Sequence, residues 1–161
     1  MKELVADLWT CGGIPAITTN GYVKHDGTAV MGAGCALEAV TRYPDLKRAM
    51  GRRLTKFGNH LFYFDQYNLI TFPTKDVWWR ESSLEIIARS ALELDKWITD
   101  SPENKLNIYL PRPGCGNGRL TWPMVKPVLE PILSDRVVIV SKPGRNLSPH
   151  IGKGWEREHG L

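Results

Sequence analysis

The chain has 161 residues, of which 42% are hydrophobic and 24% charged, a balance that fits one compact domain and excludes a disordered or repetitive protein. No apolar run approaches the roughly 20 residues that span a bilayer, and Asp7 interrupts the stretch where a signal peptide would be apolar, so we expect a cytoplasmic protein without membrane contact. The net charge of +4 fits either an ordinary basic surface or a polyanionic ligand, such as a nucleic acid or a nucleotide diphosphate.

The N-terminal third of the sequence predicts two strands followed by two helices. Residues 4–9 and 16–19 have the composition of short strands, and a helical pattern begins at Cys35. Residues 44–56 predict a second helix that ends at Gly58. This helix carries five basic residues, but they are spread around several of its faces and therefore give weak support to nucleic-acid binding.

The middle of the sequence predicts two strands and a long amphipathic helix. Residues 61–64 and 69–72 form the strands, joined by a tight connection. Ser82 and Glu85 have the spacing of a capping box, which predicts that a helix opens here. Apolar residues then recur at helical spacing, which predicts one buried face: Leu84, Ile87, Ala88, Ala91, Leu94 and Ile98.

The last third predicts a strand at residues 106–110, a turn-rich segment and a helix with Thr121 at its N-cap. Pro127 and Pro131 predict that this helix is bent or shortened. Residues 137–140 are continuously apolar, which is typical of a strand covered on both faces, and residues 142–161 form a tail of uncertain packing. The alternation of strands and helices predicts one α/β domain over residues 1–161, a three-layer α/β/α sandwich with a mixed, largely parallel sheet.

The three cysteines, Cys11, Cys35 and Cys115, are an odd number without a paired C-x-x-C spacing. This pattern favours reduced thiols over a disulfide framework or a zinc site. No cluster of His, Cys or acidic residues has the spacing of a metal site, and we expect neither a metal nor a cofactor.

Two segments share a strand–glycine–helix order that is typical of anion sites: Met31-Gly32-Ala33-Gly34-Cys35 and Gly114-Cys115-Gly116-Asn117-Gly118-Arg119. Glycine lets the main chain approach a ligand closely, and N–H groups at a helix N-terminus attract anions. Either segment alone would fit a tight turn without a ligand. Together they favour a diphosphate site beyond the carboxyl ends of the strands, while the absence of a P-loop motif argues against an ATPase.

The same segments resemble the two ligand loops of macro domains, in the family order, and the similarity extends to about Val140. Residues 5–8 resemble the first strand of that family, whose aspartate recognises the adenine amino group. The resemblance implies ADP-ribose as the ligand, bound by Asp7, Leu8, Asn20, Met31, Gly32, Ala33, Gly34, Cys35, Pro113, Gly114, Cys115, Gly116, Asn117, Gly118 and Arg119.

Residues 70–75, followed by Trp78-Trp79-Arg80, resemble a segment of the branch that contains terminal ADP-ribose protein glycohydrolase and the antitoxins that remove ADP-ribose from DNA. In that branch, a lysine at the position of Lys75 takes part in cleavage at the distal ribose. The resemblance therefore implies catalytic roles for Lys75 and for Asn20, whose amide could orient the distal ribose. From the residues alone, Lys75 also fits a surface lysine, and Asn20 also fits the turn that Asn-Gly favours.

The sequence departs from this branch in two places. The second glycine loop has no carboxylate, whereas the glycohydrolase carries one there. Residues 21–30 form a longer loop than in the antitoxins, and its His25 or Asp26 could supply acid–base chemistry or remain an exposed loop charge. For Trp78 and Trp79, we expect one indole in the core and the other at the rim of the site.

These features lead to three alternative functions. The first is a monomeric hydrolase that removes ADP-ribose from a modified protein or DNA. The second is a module of the same fold that recognises ADP-ribose without cleaving it, which the missing loop carboxylate favours. The third, of another class, is a basic protein that binds plain nucleic acid in a salt-dependent manner.

Overall fold

The computed structural model describes residues 1–143, in which six strands form a single twisted sheet. The order across the sheet is β1-β6-β5-β2-β4-β3, and every neighbouring pair is parallel except β3 with β4. The strands are β1 (Lys2–Val5), β2 (Ile14–Thr19), β3 (Phe62–Phe64), β4 (Leu69–Pro73), β5 (Ile108–Pro111) and β6 (Val137–Ser141). The mixed, largely parallel sheet expected from the sequence is confirmed.

Helices cover both faces of this sheet. They are α1 (Gly34–Arg42), α2 (Leu46–Phe57), α3 (Leu84–Asp100) and α4 (Trp122–Leu129). Buried residues of α1 and α2 form one hydrophobic cluster with one face of the sheet, and those of α3 and α4 form a second cluster with the other face. The three-layer α/β/α sandwich is therefore confirmed.

Strand β6 shows how the apolar pattern produces these layers. Its residues are buried from Val137 to Val140, as predicted for a strand covered on both faces. Successive side chains of a strand point to opposite faces, so Val138 and Val140 pack with α1 and α2, while Val137 and Ile139 pack with α3 and α4. A continuous apolar run therefore supplies both halves of the core.

Two predicted boundaries are wrong because a side chain caps the main chain at another residue. The first strand ends at Val5, since the carboxylate of Asp7 accepts the N–H of Trp9 (3.0 Å) and starts a single 3-10 turn, Leu8–Thr10. Helix α3 is capped by Ser83, whose hydroxyl accepts the N–H of Ile86 (3.3 Å), and not by Ser82. This one-residue difference leaves Ser82 outside the helix.

The remaining helix boundaries follow the sequence closely. Helix α2 ends at Gly58, which has the positive φ of 86° that glycine tolerates. Helix α4 begins after Thr121 and ends at Leu129, before Pro131, so it is short as predicted. None of the helices within residues 1–143 is both long and apolar enough to cross a membrane. Most of the predicted tail, from Gly144 onward, lies outside the described residues.

The glycine inside α2 allows us to test how residues 21–30 pack. A Cβ at Gly51 would collide with the carbonyl oxygen of Gly27 and lie 3.1 Å from the Cα of Thr28. Alanine normally stabilises a helix interior by about 1 kcal/mol relative to glycine, but here it meets main chain that has to move. We expect Gly51→Ala to lower the free energy of unfolding by about 1–3 kcal/mol in urea denaturation.

The control for this substitution is Arg52→Ala, at an exposed position of the same helix. Its free energy of unfolding should change by less than about 0.5 kcal/mol. A Gly51→Ala protein as stable as the wild type would contradict the packing of the loop against α2.

Candidate functional site: a cleft at the carboxyl ends of the strands

One cleft of about 980 Å³ runs along the carboxyl ends of the parallel strands. Leu8 follows β1 at one end of it, and Lys75 follows β4 at the other. Between β1 and β4 there are four inter-strand spacings of about 4.8 Å, so the cleft is roughly 19 Å long. A second, more open hollow of about 710 Å³ lies beside Phe57 and Phe62 and contains none of the predicted site residues.

The first glycine loop enters the cleft at the start of α1. All five residues from Met31 to Cys35 line the cleft. Ala33 is the N-cap of α1, and its side chain cannot cap the helix, so the first-turn N–H groups have no side-chain acceptor. Gly34 adopts a positive φ of 57°, which a residue with a side chain would adopt only with strain. This arrangement gives an uncapped, positively polarised helix end in the wall of the cleft.

The second glycine loop faces the same cleft from the end of β5, where all five residues from Gly114 to Gly118 line it. Its internal hydrogen bonds use the N–H groups of Cys115, Arg119 and Leu120. The N–H groups of residues 116–118 have no main-chain acceptor within residues 1–143. Of the predicted loop residues, Pro113 is buried and Arg119 is exposed, and neither lines the cleft.

Lys75 lies at the β4 end of the cleft, where Thr74 ties β4 to β2. The N–H of Thr74 donates to the carbonyl of Thr19 (2.9 Å), and the ammonium of Lys75 donates to the carbonyl of Arg80 (3.1 Å). Desolvation, with a smaller contribution from the positive charge of Arg119, lowers the pKa of Lys75 below its ordinary value. Lys75 therefore loses its proton more readily than a surface lysine does.

Asn20 also lies at the β4 end of the cleft, and its amide holds the loop of residues 21–29. Its Nδ2 donates to the carbonyl of Val30 (3.0 Å), and its Oδ1 accepts the N–H of Tyr22 (2.9 Å). Asn20 therefore stabilises the turn that follows it, which is one of the two roles expected from the sequence. One N–H and one lone pair of the amide remain for another partner.

At the β1 end, the two predicted residues are placed differently. Leu8 is buried and lines the cleft, as does Ala6. Asp7, between them, is exposed and does not line it, and one of its carboxylate oxygens caps the 3-10 turn. Its second oxygen is the one that could face a ligand.

The loop of residues 21–29 is held partly by its own hydrogen bonds, and none of its residues lines the cleft. Asp26 accepts both the N–H (3.0 Å) and the hydroxyl (2.6 Å) of Thr28, and these bonds lower the pKa of its carboxyl group. Neither Asp26 nor His25 lines the cleft. The structure therefore does not bring them to the position that acid–base chemistry would require.

Three aromatic rings stand together at the β4 mouth of the cleft. Trp78 and Trp79 are 53% and 55% exposed, so the expectation that one of them is buried is wrong. Trp78 lines the cleft and contacts Trp79 with a centroid distance of 5.4 Å, and Trp79 contacts Tyr22 at 5.3 Å. This group, which we call the aromatic rim, is an exposed surface continuous with the cleft.

The cysteines at the cleft are poor nucleophiles. All three cysteines have free thiols, as expected from their spacing. Burial raises the pKa of Cys35, whose sulfur accepts the N–H of Thr18 (3.4 Å). Burial also raises the pKa of Cys115 to about 11. Because the thiolate is the reactive species, neither residue is suited to attack a substrate.

Sequence reasoning missed several residues of the cleft wall. Among residues 1–143, Glu38 is the only carboxylate that lines it, and it accepts from Trp9 Nε1 (3.3 Å) and Lys142 Nζ (3.3 Å). Glu38 lies four residues after Gly34, hence on the same face of α1, and this spacing could have revealed it. Ser82 also lines the cleft, but nothing in the sequence distinguishes it from Ser83, the serine that caps α3.

Positive charge predominates in the cleft wall. Lys75, Arg112 and Lys142 line it, against the single carboxylate of Glu38. The guanidinium of Arg112 lies 5.3 Å from the ring centroid of Trp122, whose indole N–H donates to Glu3 (2.9 Å). No group of three His, Cys, Asp or Glu residues within the described chain could hold a metal ion. The arrangement is therefore suited to an anion held by main-chain N–H groups.

Solved structures with the same architecture identify the fold. The macrodomain of Thermus aquaticus DarG superposes with a TM-score of 0.72 at 26% identity, covering 88% of this chain and 97% of that one. The macrodomain of Mycobacterium tuberculosis DarG gives 0.70 at 25% identity, covering 86% and 95%. The chain has the fold of a macro domain. The resemblance predicted from its two glycine loops is confirmed, and these similarities are to the DarG branch.

A third similar structure contains a ligand. Thermosipho africanus DarTG in complex with ADP-ribose superposes with a TM-score of 0.68 at 20% identity, and the match covers 90% of this macro domain and 42% of that longer chain. No protein-family profile and no curated protein sequence matches the chain. At these identities, the likeness is carried by the fold more than by the sequence.

The raised pKa of Cys115 predicts slow alkylation. At pH 8, about one Cys115 thiol in a thousand is ionised, so iodoacetamide should react about a hundredfold more slowly than with a free cysteine. The rate should rise about tenfold per pH unit up to pH 10. Mass spectrometry of the labelled peptide measures it, with urea-unfolded protein as the control. Rapid labelling of the folded protein at pH 7.5 would contradict this description of the cleft.

Proposed function

We propose that this macro domain binds ADP-ribose in the cleft and removes it from a modified macromolecule, either protein or DNA. The observation that carries the proposal is that two glycine loops present to one cleft main-chain N–H groups that have no acceptor within residues 1–143. A diphosphate offers acceptor oxygens on two adjacent phosphates, one for each loop. Its charge also suits the three cationic side chains of the wall.

The two ends of the cleft suit the two ends of ADP-ribose. We propose that the adenine lies at the β1 end, beside Leu8, where the free carboxylate oxygen of Asp7 accepts its amino group. The distal ribose then lies at the β4 end, where Asn20 has one N–H and one lone pair to offer its hydroxyls. The length of the cleft, roughly 19 Å, accommodates an extended ligand of this kind.

Lys75 is the proposed catalytic residue at the distal ribose. As an ammonium it stabilises the charge of the departing group. As a free amine it attacks the anomeric carbon, the bond from that carbon to the macromolecule breaks with the macromolecule as leaving group, and water then hydrolyses the ribose–lysine bond to release ADP-ribose and the free amine. Its lowered pKa makes the second role more accessible than for an ordinary lysine. We propose that the macromolecule leaves across the aromatic rim, since Trp78 lines the cleft next to this end.

A non-catalytic module that recognises ADP-ribose is the second candidate. The second glycine loop has no carboxylate, and Glu38 is already bonded to Trp9 and Lys142. The described cleft therefore offers no unengaged acid or base of the carboxylate type. Under this alternative, ADP-ribose binds but is not released from a modified substrate.

Plain nucleic-acid binding is the third candidate, supported by the basic charge and the aromatic rim. Of the five basic residues of α2, Arg53 is engaged within the protein, because its guanidinium lies 4.1 Å from the ring centroid of Phe64 and donates to the carbonyl of Tyr63. This candidate predicts binding that weakens steeply with salt and ignores ADP-ribose.

Calorimetric titration tests the ligand. ADP-ribose should bind with a Kd of about 1 μM or lower, and ADP and AMP progressively more weakly. Asp7→Asn should raise the Kd about tenfold, since the charged acceptor for the adenine amino group is lost. Asp26→Asn is a matched control, because Asp26 caps the N–H two residues ahead just as Asp7 does, but outside the cleft. Equal affinities for ADP-ribose in both variants would refute the adenine role of Asp7.

Multiple-turnover release of ADP-ribose from modified protein and modified DNA tests catalysis. Lys75→Ala should slow release at least about a hundredfold while changing the Kd for free ADP-ribose less than tenfold. Lys24→Ala, in the exposed loop, is the control and should keep the wild-type rate. Unchanged release by Lys75→Ala would exclude the lysine role, and a wild type that binds without release would support the non-catalytic module.

The pH dependence of the wild-type rate separates the two roles of Lys75. If the free amine attacks, the rate rises with pH and levels off above the Lys75 pKa, which lies below that of an ordinary lysine. If the ammonium acts, the rate falls as the pH rises through the same pKa.

A further inference from the structure

Ser82 joins α3 to the second glycine loop at the wall of the cleft. Ser82 is one of the residues that line the cleft, and it is 8% exposed. Its N–H donates to the carbonyl of Gly118 (3.0 Å), and the N–H of the next residue, Ser83, donates to the carbonyl of Thr74 (2.9 Å). The main chain at Ser82 is therefore fixed from two sides.

The hydroxyl of Ser82, in contrast, has no hydrogen-bond partner within residues 1–143, although its oxygen is buried. The nearby loop carbonyls already accept other bonds, Gly118 from Ser82 itself and Gly114 from the N–H of Leu120 (2.8 Å). A buried hydroxyl without a partner destabilises a folded protein, and such a group in a native structure calls for an explanation. At the wall of a ligand cleft, the explanation can be a bond that forms only when the ligand is bound.

The loop residue above this hydroxyl has to be glycine. A Cβ at Gly118 would collide with Ser82 Oγ and lie 2.6 Å from the carbonyl oxygen and 2.8 Å from the Cα of Gly114. The Ser82 hydroxyl thus occupies the space into which a side chain at position 118 would project. The loop itself carries no carboxylate, and Ser82 places a hydroxyl beneath Gly118.

We propose that Ser82 is a ligand-binding residue whose hydroxyl donates a hydrogen bond to a phosphate oxygen of the diphosphate held by the second glycine loop. The identity of that ligand rests on the function proposed above. Ionised phosphate oxygens accept hydrogen bonds, so they complement a hydroxyl proton that has no acceptor among the described residues. Because Gly118 covers the oxygen, the bond requires residues 116–118 to move away from Ser82 as the ligand binds, and this movement exchanges the hydrogen bond between the Ser82 N–H and the Gly118 carbonyl for contacts with the ligand.

Ser82→Ala gives this proposal an unusual signature, since stability and affinity should change in opposite directions. Removal of a buried hydroxyl without a partner should raise the Tm of the free protein by about 2–4 °C in a calorimetric scan. The Kd for both ADP and ADP-ribose should rise about tenfold, because a bond to a charged group is lost.

Ser83→Ala is the matched control, because the two serines are adjacent and only Ser83 caps α3. It should lower the Tm by a few degrees, as expected for a lost cap, and leave both Kd values unchanged. A second pair of variants tests the steric part of the proposal. Gly118→Ala should be less destabilising in a Ser82→Gly background than alone, since one of the colliding atoms is then absent.

Three results would overturn the proposal. A lower Tm for Ser82→Ala would mean that the hydroxyl supports the free protein, for example by holding an internal water. Unchanged Kd values would mean that it does not touch the ligand. If the Kd for ADP-ribose rose while the Kd for ADP stayed unchanged, the hydroxyl would contact the distal ribose and not a phosphate. If the wild type bound neither ADP-ribose nor pyrophosphate, the proposed function itself would fail, and the Ser82 assignment with it.

Discussion

The binding capacity of the cleft depends on main-chain N–H groups, at the start of α1 and in residues 116–118, that have no acceptor within residues 1–143. A folded chain normally satisfies its buried N–H groups, and helix α3 does so through the hydroxyl of Ser83. Helix α1 begins instead at Ala33, which has no capping side chain, and Thr121 at the start of α4 makes no cap bond either. Both of these helix ends open on the cleft. The fold thus leaves donors uncapped where a ligand can reach them.

The parallel sheet brings these donors together. Strands β2 and β5 are neighbours and run in the same direction, so the loops that follow them leave from the same edge. The two loops are far apart in sequence, at residues 31–35 and 114–118, and only this pairing makes them opposite walls of one cleft. The same edge places Lys75 after β4 and Lys142 after β6, at different positions along the cleft.

The sequence predicts the layers and the glycine loops well, because both depend on local features. An apolar run such as 137–140 is typical of a buried strand. Glycines between a strand and a helix allow the main chain to approach a ligand closely. The sequence does not predict the outcome where two neighbouring residues could each form the same local structure. Ser82 and Ser83 can each cap a helix, and the bond from Ser83 to Thr74 distinguishes them only in the folded protein. The exposure of Trp79 likewise depends on Tyr22, which lies 57 residues earlier.

The second loop carries no carboxylate, which bears on the chemistry of the site. A side chain at position 118 has no room, because Ser82 and Gly114 surround the Cα of Gly118. The one carboxylate of the described cleft, Glu38, is bonded to Trp9 and Lys142 near the β1 end, while Lys75 lies at the β4 end. Acid–base chemistry at the distal ribose would therefore depend on the amine of Lys75 and on water. An amine with a lowered pKa gives up its proton more readily than that of an ordinary lysine, so a site with few acid–base groups is compatible with catalysis but does not require it.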